Sequence, residues 1–134
     1  MTEASDAATT WVFDASAILA LLQNEPGAGE VEARLLGAVI CAVNLSEVVG
    51  KLMDVGMPEE EARQAVDALS LTVIPFDAPL AWQTAALRPR TRRFGLSLGD
   101  RACLATGLLL GQPVLGADKI WAELGLPLAV GLIR

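Results

Sequence analysis

The chain contains no histidine. Without imidazole there is no Ser-His-Asp triad, no histidine-pair acid/base hydrolysis and no histidine-ligated zinc, so chemistry near neutral pH falls to carboxylates and whatever they bind. Cysteine is scarce: Cys41 and Cys103 are the two, each inside an apolar segment and without metal-ligand spacing. They read as buried thiols of a reducing cytosol rather than as a disulfide. Aromatic residues make up 4% of the chain, and Trp11, Trp82 and Trp121 read as core or interface fillers rather than base-stacking platforms. Although 53% of residues are hydrophobic, no apolar run approaches the length of about 20 residues that a membrane span needs.

What is present suits a soluble, cytoplasmic protein of 134 residues built as one domain. Residues 1–10, MTEASDAATT, are small, polar and acidic, unlike a signal peptide. They are expected to form a short disordered arm ahead of a domain over 11–134. The net charge of −6 argues against non-specific nucleic-acid binding by the whole surface. The basic residues are unevenly placed, however, with five of the ten inside RPRTRRFGLSLGDR, residues 88–101.

Short apolar segments alternate with helix-forming ones. Trp11-Val12-Phe13-Asp14 reads as a strand followed by a tight turn and a helix over 15–22. A helix over 28–36, a buried strand over 38–41 and an amphipathic helix opened by Asn44-Leu45-Ser46-Glu47 come next. A helix over 59–69, a strand over 71–74, a helix over 77–87, an arginine-rich loop and a helix over 97–110 follow. A short strand at 114–115, a short helix over 118–124 and a last strand over 128–130 complete the pattern. Such alternation implies an α/β fold, a parallel sheet covered by helices on both faces. Right-handed crossovers then put every strand's C-terminal end on one edge, where ligands bind.

Asp14, Glu47, Asp100 and Asp118 each lie where an apolar segment gives way to a turn or a helix start, so all four can approach that edge. Converging carboxylates repel one another unless a cation neutralises them. Mg²⁺ or Mn²⁺ suits an all-oxygen donor set. One ion can activate a water and a second can stabilise the leaving oxygen of an in-line displacement, which points to phosphodiester hydrolysis. Plain structural roles compete with this. Asn44-x-x-Glu47 and Ser97-x-x-Asp100 match capping boxes, Asp118 could be an N-cap, and Ser16 an ordinary first-turn serine. An Asp ending a buried strand is harder to explain by structure alone. Arg88, Arg90, Arg92 and Arg93 read either as a solvated loop or as phosphate-positioning groups beside the metals.

The segments VFDASAILALLQNEPG, NLSEVVGKL, GLSLGDRACLATG and PVLGADKIWAEL, in this order and spacing, resemble PIN-domain ribonucleases, most closely the VapC-type toxins of prokaryotic toxin–antitoxin pairs. The likeness runs from about Trp11 to the C-terminus. It implies a three-layer α/β/α sandwich with a central parallel sheet. It also implies that Asp14, Glu47, Asp100 and Asp118 are the four acidic positions that hold Mg²⁺ or Mn²⁺, with Ser16 at the small polar position near the metal. The activity implied is endoribonuclease cleavage of an RNA such as tRNA or ribosomal RNA, leaving a 5′-phosphate and a 3′-hydroxyl, with Arg88, Arg92 and Arg93 as substrate-binding candidates. The partners implied are a second copy of the chain and a cognate antitoxin that masks the site. One position departs from the pattern: many relatives carry a hydroxyl residue two places before the fourth Asp, and Gly116 stands there.

Two other readings compete. Haloacid-dehalogenase-like domains expect a second Asp where this chain has Ser16, and response regulators expect paired acids where it has Trp11-Val12-Phe13. A PIN-like domain without turnover, serving as an RNA- or protein-binding module, is the non-enzyme alternative; metal-independent RNA binding that survives Asp100→Asn without any cleavage would mark it.

Overall fold

The computed structural model describes residues 9–134. Most of the expected N-terminal arm, residues 1–8, lies outside the described residues. Thr10 is already tied to the fold, its backbone N–H donating to the Gln112 side chain at 3.3 Å.

Five short strands form one parallel sheet: β1 (Val12–Phe13), β2 (Val39–Cys41), β3 (Thr72–Ile74), β4 (Val114–Gly116) and β5 (Val130–Leu132), in the order β3-β2-β1-β4-β5. The helices are α1 (Ala15–Leu22), α2 (Ala28–Glu32), α3 (Ala42–Asp54), α4 (Glu59–Asp67), α5 (Ala78–Ala86), α6 (Arg88–Thr91) and α7 (Leu98–Leu110), with 3-10 turns at Arg92–Phe94 and Lys119–Glu123. Alternate strand residues point to opposite faces. Phe13, Ile40 and Leu115 therefore join a core built with Ile18, Val31, Val48, Leu52 and Val66 of α1 to α4. Val12, Val39, Cys41 and Val114 join the other, with Leu80 of α5, Ala102 to Ala105 of α7 and Trp121. Both faces are covered, which makes the α/β/α sandwich expected from the sequence. Cys41 and Cys103 are buried free thiols, and burial pushes the Cys103 thiol well above its ordinary pKa. Trp121 is buried, Trp11 carries the Arg34 guanidinium 4.9 Å from its ring centroid, and Trp82 is exposed. Among the described residues, no helix is long and apolar enough to cross a membrane.

Where an end is set by local capping, the sequence reading holds. Asp14 caps α1 by accepting from Ala17 N–H, and Gly111, left-handed at φ 64°, ends α7. Elsewhere the elements shift. The helix expected to start at Asn44 starts at Ala42, because β2 runs into α3 through Cys41 with no turn between them. The helix expected over 28–36 ends at Glu32. The last strand lies two residues later than expected, its register set by Val114 pairing with Val130. The arginine-rich stretch is helical rather than a loop. Pro89 sits in the first turn of α6, where a missing N–H costs nothing, and Gly95 at φ 67° closes the 3-10 turn.

Candidate active site

The chain winds from β1 out to β3 on one side, then returns to add β4 and β5 on the other. The strand order therefore reverses beside β1, and the crevice this makes at the strands' C-terminal ends is where open parallel sheets bind ligands. Asp14 occupies that crevice. Its Oδ1 accepts from Ala17 N–H at 2.9 Å, and the Ser16 hydroxyl donates to its carboxylate, 2.7 Å from Oδ1 and 2.8 Å from Oδ2. The same hydroxyl oxygen accepts from Ala117 N–H at 3.1 Å, just past β4. Ser16 thus joins the ends of two neighbouring strands through Asp14. Its donor is engaged by the protein rather than held free for a ligand.

Asp14 is 7% exposed. Burial raises its pKa from 3.8 to about 6; the Ser16 and Ala17 donors oppose the shift, and the charges of Asp100 and Glu47 add to it.

Glu47 stands on α3, a turn and a half in, and Asn44 precedes it by three residues on the same helix. Asn44 is therefore no cap. Its buried Nδ2 donates to Glu47 Oε1 and to Gly99 O, both at 3.0 Å. These bonds tie α3 on one face of the sheet to α7 on the other. A Cβ at Gly99 would overlap the Glu47 carboxylate, so glycine is what lets the two helices meet there. Asp100 completes a true capping box: Ser97 N–H donates to its Oδ2 at 3.0 Å, and its own N–H donates to Ser97 Oγ at 3.1 Å. Asp100 caps its helix and also faces the site.

Asp14, Ser16, Asn44, Glu47, Lys51 and Asp100 line one cleft of about 180 Å³. Asp118 does not line it. That carboxylate is exposed and caps the Lys119–Glu123 turn, its Oδ1 accepting from Ile120 N–H at 3.0 Å. Three of the four expected acids thus share the lining of one cleft, and the fourth lies outside it. Among the described residues, no three Asp, Glu or Cys side chains gather as tightly as a ready-made metal cage. The donor set nevertheless fits a hard divalent cation. It is all oxygen, and Asn44 Oδ1 is buried without a hydrogen-bond partner, an acceptor left for water or a cation.

Of the arginines singled out in the sequence, Arg88 and Arg92 line a separate pocket, and Arg93 lies over its neighbour Phe94, 4.8 Å from the ring centroid. Sequence reasoning missed Lys51, Gly99 and the real role of Asn44. Lys51 was legible as one turn beyond Glu47 on the same helix face; Gly99 was not, because its constraint comes from another helix.

The PIN domain family model matches residues 11–126. The chain belongs to the PIN-domain family. Solved structures similar to this PIN domain include a toxin–antitoxin complex from Klebsiella pneumoniae, at 23% identity and a TM-score of 0.72, covering 92% of this chain and 97% of that one. A DNA-bound VapBC from Salmonella typhimurium is 16% identical at TM-score 0.71, covering 94% and 99%. VapBC-5 from Mycobacterium tuberculosis is 21% identical at TM-score 0.60, covering 94% and 98%. No curated protein sequence matches the chain. At these identities the neighbours speak for the shared fold of the PIN domain.

Proposed function

We propose that this PIN domain is a Mg²⁺- or Mn²⁺-dependent endoribonuclease, the toxin of a type II toxin–antitoxin pair. The observation that carries the reading is the placement of Asp14, Glu47 and Asp100 around one cleft at the strand-order reversal, in a chain of a family of nucleases. Asp14, Asp100 and Glu47 would hold the ion, while the fourth acid, Asp118, lies outside the cleft. When bound, the ion offsets the carboxylate charge, lowers the pKa of a water and stabilises charge developing at phosphorus.

The chain's own groups do the positioning. Ser16 and Ala17 keep the Asp14 carboxylate in one orientation, Asn44 holds Glu47, and the capping box holds Asp100. Lys51 puts a cation at the mouth of an otherwise acidic cleft, where a phosphodiester must enter. Hydrolysis adds a water oxygen to phosphorus and breaks the P–O3′ bond, leaving a 5′-phosphate and a 3′-hydroxyl. Kinship with toxin–antitoxin complexes supports a cognate antitoxin as the partner that silences the cleft, and a homodimer as the assembly.

The test is cleavage of total tRNA and ribosomal RNA by antitoxin-free protein in Mg²⁺, Mn²⁺ or EDTA, with Asp14→Asn and Asp100→Asn alongside. Discrete metal-dependent cuts with 5′-phosphate ends, lost in both variants, are expected. RNA binding without cleavage in either metal, unchanged by Asp100→Asn, would make the chain a binding module instead.

A further inference from the structure

The first turn of α7 separates two pockets of opposite character. On one side is the acidic cleft that Asp100 lines. On the other is a pocket of about 490 Å³ lined by Arg88, Arg92, Ser97, Leu98 and Arg101, within the roughly 300–1,000 Å³ typical of ligand sites. Ser97 belongs to the basic pocket and is hydrogen-bonded to Asp100 of the acidic cleft. The two sites are therefore one capping box apart.

Arg101 makes the second pocket more than a solvated charge patch. It is 8% exposed. Its Nη1 donates to Thr84 O at 3.3 Å, while its buried Nε has no hydrogen-bond partner. Guanidinium stays charged at any working pH, so it cannot escape burial by losing its proton. An unpaired N–H on a buried cation is destabilising until an anion meets it. The protein supplies none: the ion pairs among the described residues are Arg34–Glu30 and Arg63–Glu59, and neither involves Arg88, Arg92 or Arg101. In a chain of net charge −6, three guanidinium groups without carboxylate partners line a single pocket at the positive end of a 13-residue helix.

We propose that this pocket binds a backbone phosphate of the single-stranded RNA substrate, the one flanking the phosphate in the acidic cleft. The proposal rests on the nuclease reading of that cleft. Planar guanidinium forks match phosphate oxygens two at a time, and Ser97 can offer a hydroxyl. Arg101 lines the pocket and backs it with a buried positive charge, and the exposed Arg88 and Arg92 close on the phosphate from outside. One phosphate held on each side of Asp100 would set which bond of the strand enters the cleft.

Binding of a short labelled single-stranded RNA by the full chain in EDTA separates this site from metal chemistry. We expect Arg88→Ala/Arg92→Ala, and Arg101→Gln by itself, to weaken binding about tenfold or more, as removal of roughly one charge-assisted hydrogen bond should. The slope of log affinity against log salt should flatten by about 0.7 for each phosphate that the variant no longer neutralises. Arg101→Lys keeps the charge without the fork and should recover binding only in part. Circular dichroism checks each fold, and if Arg101→Gln does not fold, the exposed Arg88/Arg92 pair carries the result. Unchanged affinity and salt slope in the folded variants overturn the proposal, as does the absence of RNA binding by the unsubstituted chain. Competition by inorganic phosphate that saturates the pocket without displacing RNA overturns it in favour of a free-phosphate site. Metal-dependent cleavage is scored separately: cleavage with unchanged binding in the variants removes the pocket alone, and pocket-dependent binding without cleavage removes the nuclease reading alone.

Discussion

A Cβ atom at Gly116 would stand 2.7 Å from Asp14 Oδ2 and 3.0 Å from the Trp121 ring. Gly116 ends β4 next to β1, so the bare backbone of one strand makes room for the carboxylate that ends the other. This close approach is the reason a glycine suits position 116. Asp14 leans over position 116, and Ser16 supplies the hydroxyl that reaches Ala117 N–H.

Gly116→Ser is expected to push the Asp14 carboxylate or the Trp121 ring aside, lowering stability by about 1–3 kcal/mol, the usual cost of overpacking. It should also reduce the thermal stabilisation that Mn²⁺ would confer by binding at the proposed site. Melting curves with and without Mn²⁺ test both effects, and a variant matching the unsubstituted protein in each would show that the contact relaxes freely.

The raised pKa of Asp14 gives metal-free protein a defined pH response. Between pH 3.8 and about 6 the folded state holds a proton on Asp14 that the unfolded state has released. The Asp14 contribution to stability therefore falls as pH rises through that window and is flat above it, by about 3 kcal/mol in total for a shift of this size. Asp14→Asn should remove this slope and leave the metal-free protein more stable than the unsubstituted chain at pH 7. Because cations compete with the proton, Mn²⁺ should stabilise the unsubstituted protein more at pH 7.5 than at pH 5. Denaturant unfolding across pH would refute this if the two proteins ran parallel.

Asn44→Ala leaves Glu47 Oε1 and Gly99 O without their shared donor. A loss of about 1 kcal/mol is expected from the two hydrogen bonds removed, together with weaker cleavage, because Glu47 is no longer held. Chemical denaturation and single-turnover assays measure the two. A change in stability without a change in rate would mean that Glu47 needs no positioning.

Asp118 lies outside the cleft and caps its own turn. Asp118→Ala should cost about 1 kcal/mol through the lost cap and slow cleavage less than Asp100→Asn does. Single-turnover rates decide it, and equal losses would mean that Asp118 leaves its cap to join the metal when RNA binds.

Local rules made much of this protein legible. The end of β1, the start of α1 at Asp14, the Ser97–Asp100 capping box and the stop at Gly111 all follow from interactions spanning four residues or fewer. The alternation of buried strands with helices then implied the layered parallel sheet, and with it the edge at which acids could meet. The motif Asn44-x-x-Glu47 misled for the same local reason, since it looks like a capping box, and only the unbroken passage of β2 into α3 moves Asn44 inside the helix.

The sequence by itself determined which residue types are available for chemistry and where each helix presents its acid, because caps and apolar periodicity are short-range. Tertiary structure alone decided which side chains share a space. It brought Asn44 to Gly99 across 55 residues of chain and Ser16 to Ala117 across 101. It also left Asp118 outside the cleft and buried Arg101 without an anion. Those outcomes depend on how two helical layers close over the sheet, and close packing between segments far apart in the chain leaves no mark on the residues next to each of them.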